Sequence, residues 1–362
     1  MSTLQAIEVV PEVQSDLRLR VSGTDQHASL RQGESLLKAS LRQDIKIAHL
    51  CLVGDCGSCR CRLVSGKVRL KKDISQHLDN QALARGYLLA CQAVALSDIE
   101  LAVPGLSPAE EGLALSTFTG AIRSCEKLNH DICNLVIDLD SPLAYKAGQY
   151  AQLTVPGHPD LAEAPRCYSF AQAPQANGQQ QVEFHVRRVP GGTFTEWLFA
   201  ADRRGQAICL TGPLGDFGHR PDQRPMVCVA GGSGLAPIKA ILEGLQQRHT
   251  GPDVTLFFGA RSEADLYCLE ELKALEKSWP GPGRLLFVPV LSASPPGSTW
   301  RGLTGFCGEH LASYSSLADS SFYLCGPPMM IDSILNVLHG VVEEKHIHFD
   351  RFLDRSTLLT DE

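Results

Sequence analysis

Cys51, Cys56 and Cys59 stand in the spacing C-x4-C-x2-C, and Cys91 follows after thirty-one intervening residues. Three close thiols and one distant one match the ligand spacing of a plant-type [2Fe–2S] cluster. Two irons need four thiolates, and the loop carrying three of them must be tight. Gly54 and Gly57 supply the backbone freedom for such a loop and let main-chain N–H groups turn toward sulfur. Two other uses of cysteine compete. Zinc ligands usually come as two C-x2–4-C pairs, whereas here the fourth cysteine stands alone. Disulfides suit a secreted chain, and no secretory segment is visible. The spacing therefore predicts Cys51, Cys56, Cys59 and Cys91 as metal ligands.

A second group of residues suits a flavin dinucleotide. In Arg166-Cys167-Tyr168-Ser169 an aromatic ring, a hydroxyl and a fixed cation sit together. Tyr168 is placed to stack on the flavin ring, Ser169 to hydrogen-bond near N5 and Arg166 to pair with a phosphate. Alone, this tetrapeptide also fits an ordinary surface strand. His185-Val186-Arg187-Arg188 adds to it, because Gly191-Gly192-Thr193-Phe194-Thr195 follows and leads into a short helix. Glycines before a helix start let backbone N–H groups reach an anion such as a pyrophosphate.

A third group suits a nicotinamide dinucleotide. Gly231-Gly232-Ser233-Gly234-Leu235-Ala236-Pro237 ends a strand-like run and begins a helical one. It departs from G-x-G-x-x-G, and a structural strand-to-helix turn is the alternative. Pro237 is tolerated because the first helical turn lacks internal N–H partners. Cys325-Gly326-Pro327-Pro328 follows the apolar run Phe322–Leu324, at the carboxyl end of a strand where open parallel sheets bind ligands. A thiol against the nicotinamide is reasonable there; a buried inert cysteine fits equally.

The elements that must position these groups fall into three stretches. Residues 1–103 read strand, helix (Glu34–Leu41), cluster loop and strand, as in a small ferredoxin-like domain. Residues 104–112 mix Pro, Gly and acids and read as a linker. Residues 113–224 carry short apolar runs punctuated by Gly and Pro, which predicts an antiparallel β-barrel. Residues 225–362 alternate strand and helix, which predicts a doubly wound parallel sheet. Strands are expected at Met226–Ala230, Val254–Phe258 and Leu285–Leu291, with helices near Leu269–Leu275 and Met330–Leu338.

Bulk composition narrows the function classes. The 362 residues carry a formal net charge of -7, which argues against nucleic-acid or membrane-surface binding. No apolar run reaches membrane-spanning length. The thirteen cysteines sit mostly in apolar runs, which reads as reduced cytoplasmic thiols apart from the four ligands. The run Arg60, Arg62, Lys67, Arg69, Lys71 and Lys72 fits a solvated strand face or a docking rim for an acidic electron acceptor.

Taken together, these motifs resemble the NADH-dependent reductase components of bacterial multicomponent oxygenases, such as those of naphthalene dioxygenase and of toluene and phenol monooxygenases. The resemblance covers nearly the whole chain and includes Cys56-Gly-Ser-Cys59-Arg-Cys61-Arg. It implies a β-grasp [2Fe–2S] domain, an FAD barrel and a nicotinamide domain, working as a cytoplasmic monomer of the ferredoxin–NAD+ reductase type. It implies FAD binding by Arg166, Tyr168, Ser169, His185, Val186, Arg187, Gly191, Gly192, Thr193 and Thr195; Cys167 fills the variable motif position. It implies nicotinamide binding by Gly232, Ser233, Gly234, Pro237, Gly259, Arg261, Cys325, Gly326 and Pro327. The ending Ile347-His348-Phe349-Asp350-Arg351-Phe352 is similar to the family's tail near the flavin, with Phe352 at the cofactor. NADH is favoured over NADPH because no second basic cluster follows Arg261.

The implied chemistry is a relay: two electrons pass from NADH to FAD, then singly through the cluster to a terminal oxygenase or its Rieske-type ferredoxin. Ser169 would orient N5, Cys325 border the transfer path and Asp350 relay a proton, an exposed terminal acid being the alternative for Asp350. A desaturase or alkane hydroxylase could be the acceptor instead. A non-catalytic redox sensor is the rival of another class, and it should carry a broken nicotinamide motif.

Overall fold

The computed structural model describes residues 17–43, 59–74, 80–104, 106–107, 116–162, 165–293 and 298–352, with positions 45, 47, 49, 54, 57 and 78. Two compact units result, one built on the strands between residues 18 and 102 and one holding the strands from residue 116 onward.

In the first unit, β1 (Arg18–Val21), β2 (His27–Ser29), α1 (Leu36–Arg42), β3 (Arg60–Ser65), β4 (Val68–Leu70), α2 (Asn80–Ala84), β5 (Tyr87–Leu89), β6 (Ala93–Ala95) and β7 (Ile99–Ala102) follow one another. The main sheet has the order β2-β1-β7-β3-β5, with β1 and β7 parallel, and β4 pairs with β6 beside it. In β1, Leu19 and Val21 are buried while Arg18 and Arg20 face out, the period of two that a half-covered strand requires. Ser35 caps α1 by accepting the Lys38 N–H at 3.3 Å, and Leu36, Leu37 and Ala39 turn inward. A helix laid across a mixed sheet in this order is a β-grasp arrangement.

The second unit opens with the antiparallel strands β8 (Ser116–Lys127), β9 (Ile132–Leu143), β10 (Tyr150–Thr154), β11 (Arg166–Ser169) and β12 (Gln179–Arg187), then α3 (Thr193–Ala200) and β13 (Ala207–Leu214). Their order is β11-β10-β13-β8-β9-β12, and an antiparallel bridge from Phe170 to Phe184 joins the two edges. That bridge turns the sheet into a barrel, with Phe170, Phe184, Leu135, Leu153 and Leu210 fully buried inside.

A parallel sheet follows, made by β14 (Met226–Gly231), α4 (Leu235–Gln247), β15 (Val254–Ala260), α5 (Leu269–Lys277), β16 (Leu285–Leu291), β17 (Leu303–Thr304), α6 (Cys307–Leu311), β18 (Ser321–Gly326), α7 (Pro328–Leu338) and β19 (Ile347–Arg351). The order is β17-β16-β15-β14-β18-β19, so strand order reverses beside β14. Ligands of doubly wound folds bind at that switch point. One apolar layer contains Leu235, Ile238 and Leu242 from α4; the other contains Ile331, Ile334 and Leu338 from α7. The C-terminal stretch differs from a surface tail. Ile347–Arg351 is the edge strand β19, paired in parallel with β18, and Asp350 is only 8 % exposed. No helix among the described residues is long and apolar enough to cross a membrane.

Candidate functional site

Cys51 and Cys56 lie outside the described residues. The two described glycines of their loop, Gly54 at φ 87° and Gly57 at φ 69°, occupy the left-handed region that a side chain would strain. Cys59 and Cys91 are both buried. The Cys91 N–H donates to Cys59 Sγ at 3.4 Å, and Gln92 Nε2 donates to Cys91 Sγ at 3.5 Å. N–H groups aimed at sulfur stabilise the thiolate that iron requires, so this donor set fits a cluster.

On the barrel, β11 carries Arg166, Cys167 and Tyr168 half-buried and Ser169 buried. Tyr168 leans on Phe194 of α3, ring centroids 5.4 Å apart, which fixes one side of its ring. Burial pushes the Tyr168 phenol well above its ordinary range and the Cys167 thiol up to about 12, so both stay protonated. Gly191 has φ 72°, and Gly192 is the N-cap residue of α3. The Thr195 hydroxyl accepts the Val189 N–H at 3.1 Å and lies 3.2 Å from the Gly192 carbonyl. Thr195 therefore holds the glycine turn in shape, leaving Gly191, Gly192 and Thr193 to present the helix start.

In the parallel sheet, β14 ends at Gly231 and a tight turn, Gly232–Gly234, leads directly into α4. Pro237 sits buried in the first turn of α4, and Ser233 is half-buried. Gly231 is the cross-strand partner of Gly259, and one position earlier Ala230 pairs with Cys325 of β18. A Cβ on Gly234 would lie 2.3 Å from the Cys325 carbonyl oxygen and 2.8 Å from Gly326 Cα. The two sequence-predicted nicotinamide motifs thus touch backbone to backbone. Pro327 is the N-cap of α7, and the Phe352 N–H donates to the Gly326 carbonyl at 2.9 Å. Cys325 is fully buried with its thiol raised by burial, and Asp350 is its parallel neighbour on β19.

One residue absent from the sequence reading joins the flavin-type and nicotinamide-type segments. Tyr267 Oη donates to the Gly232 carbonyl at 3.1 Å and lies 3.2 Å from His185 Nδ1. Burial lowers the His185 pKa to about 3, so its ring is neutral, with Nδ1–H donating to Tyr267 and Nε2 left as an acceptor. The residue after Tyr267, Cys268, adopts φ 53°, a backbone state that side chains avoid and that persists only where surroundings impose it. Tyr267→Phe removes both bonds at a loss of about 1–2 kcal/mol. The variant should therefore melt at a lower Tm, and its NADH KM should rise as the Gly232 turn is released.

Acid–base pairs reinforce the same junction. Arg187 Nε donates to Asp131 Oδ2 at 3.0 Å, and Asn129 Nδ2 donates to the Asp265 carbonyl at 2.9 Å. Arg261, just beyond β15, is 3.0 Å from Asp265 Oδ1 and 3.9 Å from Asp131 Oδ2. Asn129, Asp131 and Asp265 carry no motif, and the bonds Asn129–Asp265 and Asp131–Arg187 join residues far apart in sequence.

This architecture has full-length relatives. Residues 19–96 match a 2Fe-2S iron-sulfur cluster binding domain, residues 119–219 an oxidoreductase FAD-binding domain and residues 228–336 an oxidoreductase NAD-binding domain. The chain is 38% identical over 351 residues to the xylene/toluene monooxygenase electron transfer component of Pseudomonas putida, covering 96% of each. It is 34% identical to the ferredoxin–NAD(P)(+) reductase component of the Pseudomonas putida naphthalene 1,2-dioxygenase system, covering 88% of this chain and 94% of that one. Among solved structures it resembles an Amycolatopsis cytochrome P450 reductase at TM-score 0.67 and 33% identity, covering 93% of this chain and 98% of the other. With three cofactor modules in one order and relatives of this kind along its length, the chain belongs to the flavin and iron–sulfur reductase components of multicomponent oxygenases.

Proposed function

We propose that this reductase draws electrons from NADH and delivers them through its cluster, in the cytoplasm and as a monomer, to a terminal oxygenase or its ferredoxin. The observation that carries the reading is the contact of the Gly231–Gly234 turn with Cys325 and Gly326, tied by Tyr267 to His185 of the flavin segment. When bound, FAD converts a two-electron transfer from the nicotinamide into single-electron transfers to the [2Fe–2S] centre.

The chain's own residues bind and orient. Tyr168 offers its ring and Ser169 its hydroxyl from the floor of β11, Arg166 and Arg187 supply cations, and the Gly191–Thr193 turn offers N–H groups to the pyrophosphate. His185 and Val186 line the adjoining strand. The turn through Gly232, Ser233 and Gly234, closed by Pro237 and faced by Gly259, Gly326 and Pro327, admits the nicotinamide nucleotide backbone closely. Cys325 walls the transfer path, Asp350 beside it is placed to relay a proton, and Phe352 covers that edge. Cys51, Cys56, Cys59 and Cys91 hold the iron. An intact junction of this kind favours turnover over a redox sensor.

Anaerobic stopped-flow mixing with NADH tests the reading: flavin absorbance should bleach before the cluster signal appears. Cluster reduction that precedes or lacks the flavin phase overturns it.

The choice of NADH follows from charge. Arg261, at the carboxyl end of the second strand, where ribose is read, is held between Asp265 and Asp131, and Glu263 accepts from Ser298 beside it. Two carboxylates, Asp265 and Asp131, on one guanidinium disfavour a 2′-phosphate. Asp265→Asn should therefore narrow the NADH-to-NADPH ratio of kcat/KM by about tenfold, equal to about 1.4 kcal/mol. An unchanged ratio removes Asp265 from the selectivity account.

A further inference from the structure

Outside the cluster ligands, two of the thirteen cysteines meet. Cys125 stands near the end of β8 and Cys133 near the start of β9, with their Sγ atoms 2.8 Å apart. That is well inside ordinary contact between two sulfurs, and a bond of about 2.05 Å needs only about 0.8 Å of further approach. The two differ in access. Cys133 is 1 % exposed and belongs to the barrel core, whereas Cys125 is half-buried and reaches solvent. The hairpin pairs Cys125 with Leu135 and Lys127 with Cys133, so the two thiols are diagonal neighbours on one face of the sheet. Diagonal neighbours stand farther apart at Cβ than opposed ones, so a bond between them strains the hairpin and yields readily to thiol reductants.

The pair also divides the roles that thiol oxidation needs. Contact with Cys133 holds the Cys125 thiol below its ordinary range, against burial and the Asp202 charge, while the same contact and burial push Cys133 up. The reachable sulfur is thus the nucleophile and the buried one the resolving thiol. Among the strands of the barrel, Cys133 is the cross-strand partner of Val186, which lies between His185 and Arg187.

We propose that Cys125 and Cys133 are a thiol pair that reduces a hydroperoxide and closes a reversible disulfide across the β8–β9 hairpin. The Cys125 thiolate attacks one peroxide oxygen, the O–O bond breaks, and the other oxygen leaves as water or an alcohol after taking a proton. The Cys133 sulfur then attacks the Cys125 sulfenic acid, forming the S–S bond and expelling the hydroxyl as water. In sum two thiols lose two electrons and two protons, and one hydroperoxide becomes an alcohol and a water, or two waters. A dithiol reverses the bond by exchange.

Peptide mapping of the holoprotein tests this directly. Tryptic cleavage after Arg123, Lys127 and Lys146 puts the two thiols in separate peptides, 124–127 and 128–146, each holding one cysteine. After one equivalent of hydrogen peroxide and alkylation without reductant, the two peptides should appear joined and two hydrogens lighter than their sum. Dithiothreitol should return both as separate alkylated peptides. In Cys133→Ala, Cys125 should instead stop at the sulfenic acid, trapped by dimedone, and go on to sulfinic acid only with a second equivalent of peroxide. In Cys125→Ser, Cys133 should remain alkylatable once the protein is denatured, because peroxide does not reach it. Oxygen addition at Cys125 in the native sequence without cross-linking overturns the proposal. So does recovery of both thiols unoxidised.

Discussion

Cys91→Ser is expected to abolish the iron–sulfur absorbance and bound iron while leaving the flavin fully reducible by NADH. Cys91 is buried, its N–H reaches Cys59 Sγ, and its own sulfur receives Gln92 Nε2. A hydroxyl there is a harder, far less acidic donor that iron–sulfur chemistry does not favour. Loss of mere supporting hydrogen bonds around a metal typically costs about 10–100-fold in affinity, and loss of a ligand costs more. The readouts separate cleanly. Transfer to a one-electron protein acceptor such as cytochrome c should fall by at least about a hundredfold. Flavin bleaching by NADH should keep its rate, since Cys91 belongs to the first unit and the barrel and parallel sheet to the second. Cys61→Ser is the control. Cys61 is fully buried on β3 but outside the four-ligand spacing, so its replacement costs stability, about 1–3 kcal/mol for a buried hydroxyl, and keeps the cluster. An unchanged spectrum in Cys91→Ser sinks the ligand assignment.

What sequence alone reveals here follows the range of the interactions involved. The run Met226–Ala230 reads correctly as a strand because a parallel strand buried along its whole length is apolar throughout. The Gly231–Pro237 turn is equally visible, because glycine and proline carry their backbone constraints locally. The strand β8 is different. Twelve residues long, it buries only Ile122, so periodicity marks little beyond Ala121-Ile122 and its pairing with β9 and β13 decides the rest. Edge strand β19 is hidden for the same reason: Asp350 looks like a terminal surface acid until parallel pairing with β18 sets it beside Cys325. Tyr267 is the extreme case. Its partners His185 and Gly232 lie 82 and 35 residues away, so no spacing announces it. Motifs therefore reveal which cofactors suit the chain; the bonds joining their sites are tertiary and need coordinates.

Gly234→Ala should disable nicotinamide use while sparing the flavin site. Gly234 has φ -62° and ψ -9°, a helical state open to any residue, so backbone preference does not explain the glycine. Space does. The added Cβ would sit 2.3 Å from the Cys325 oxygen, 2.6 Å from its carbonyl carbon and 2.8 Å from Gly326 Cα. All three are backbone atoms at the end of a central strand, with no rotamer to yield. Either the turn lifts off β14 or the end of β18 retreats, at about 1–3 kcal/mol of overpacking. A displacement near 1 Å between reacting groups costs roughly a hundredfold in rate. NADH-driven flavin bleaching should slow by about that factor, with a lowered Tm, while dithionite still bleaches the bound flavin at its usual rate. Gly232→Ala supplies the contrast. Its Cβ meets nothing closer than Arg187 Nη1 at 3.8 Å, and only its φ of 54° resists a side chain. That strain is worth about 1–2 kcal/mol, so Gly232→Ala should lose stability and, with a methyl in the space the nucleotide approaches, raise the NADH KM while keeping most of its turnover at saturating NADH. If both variants lose turnover equally, backbone conformation rather than close approach governs the turn, and the contact between Gly234 and Cys325 is not what holds the two motifs in place.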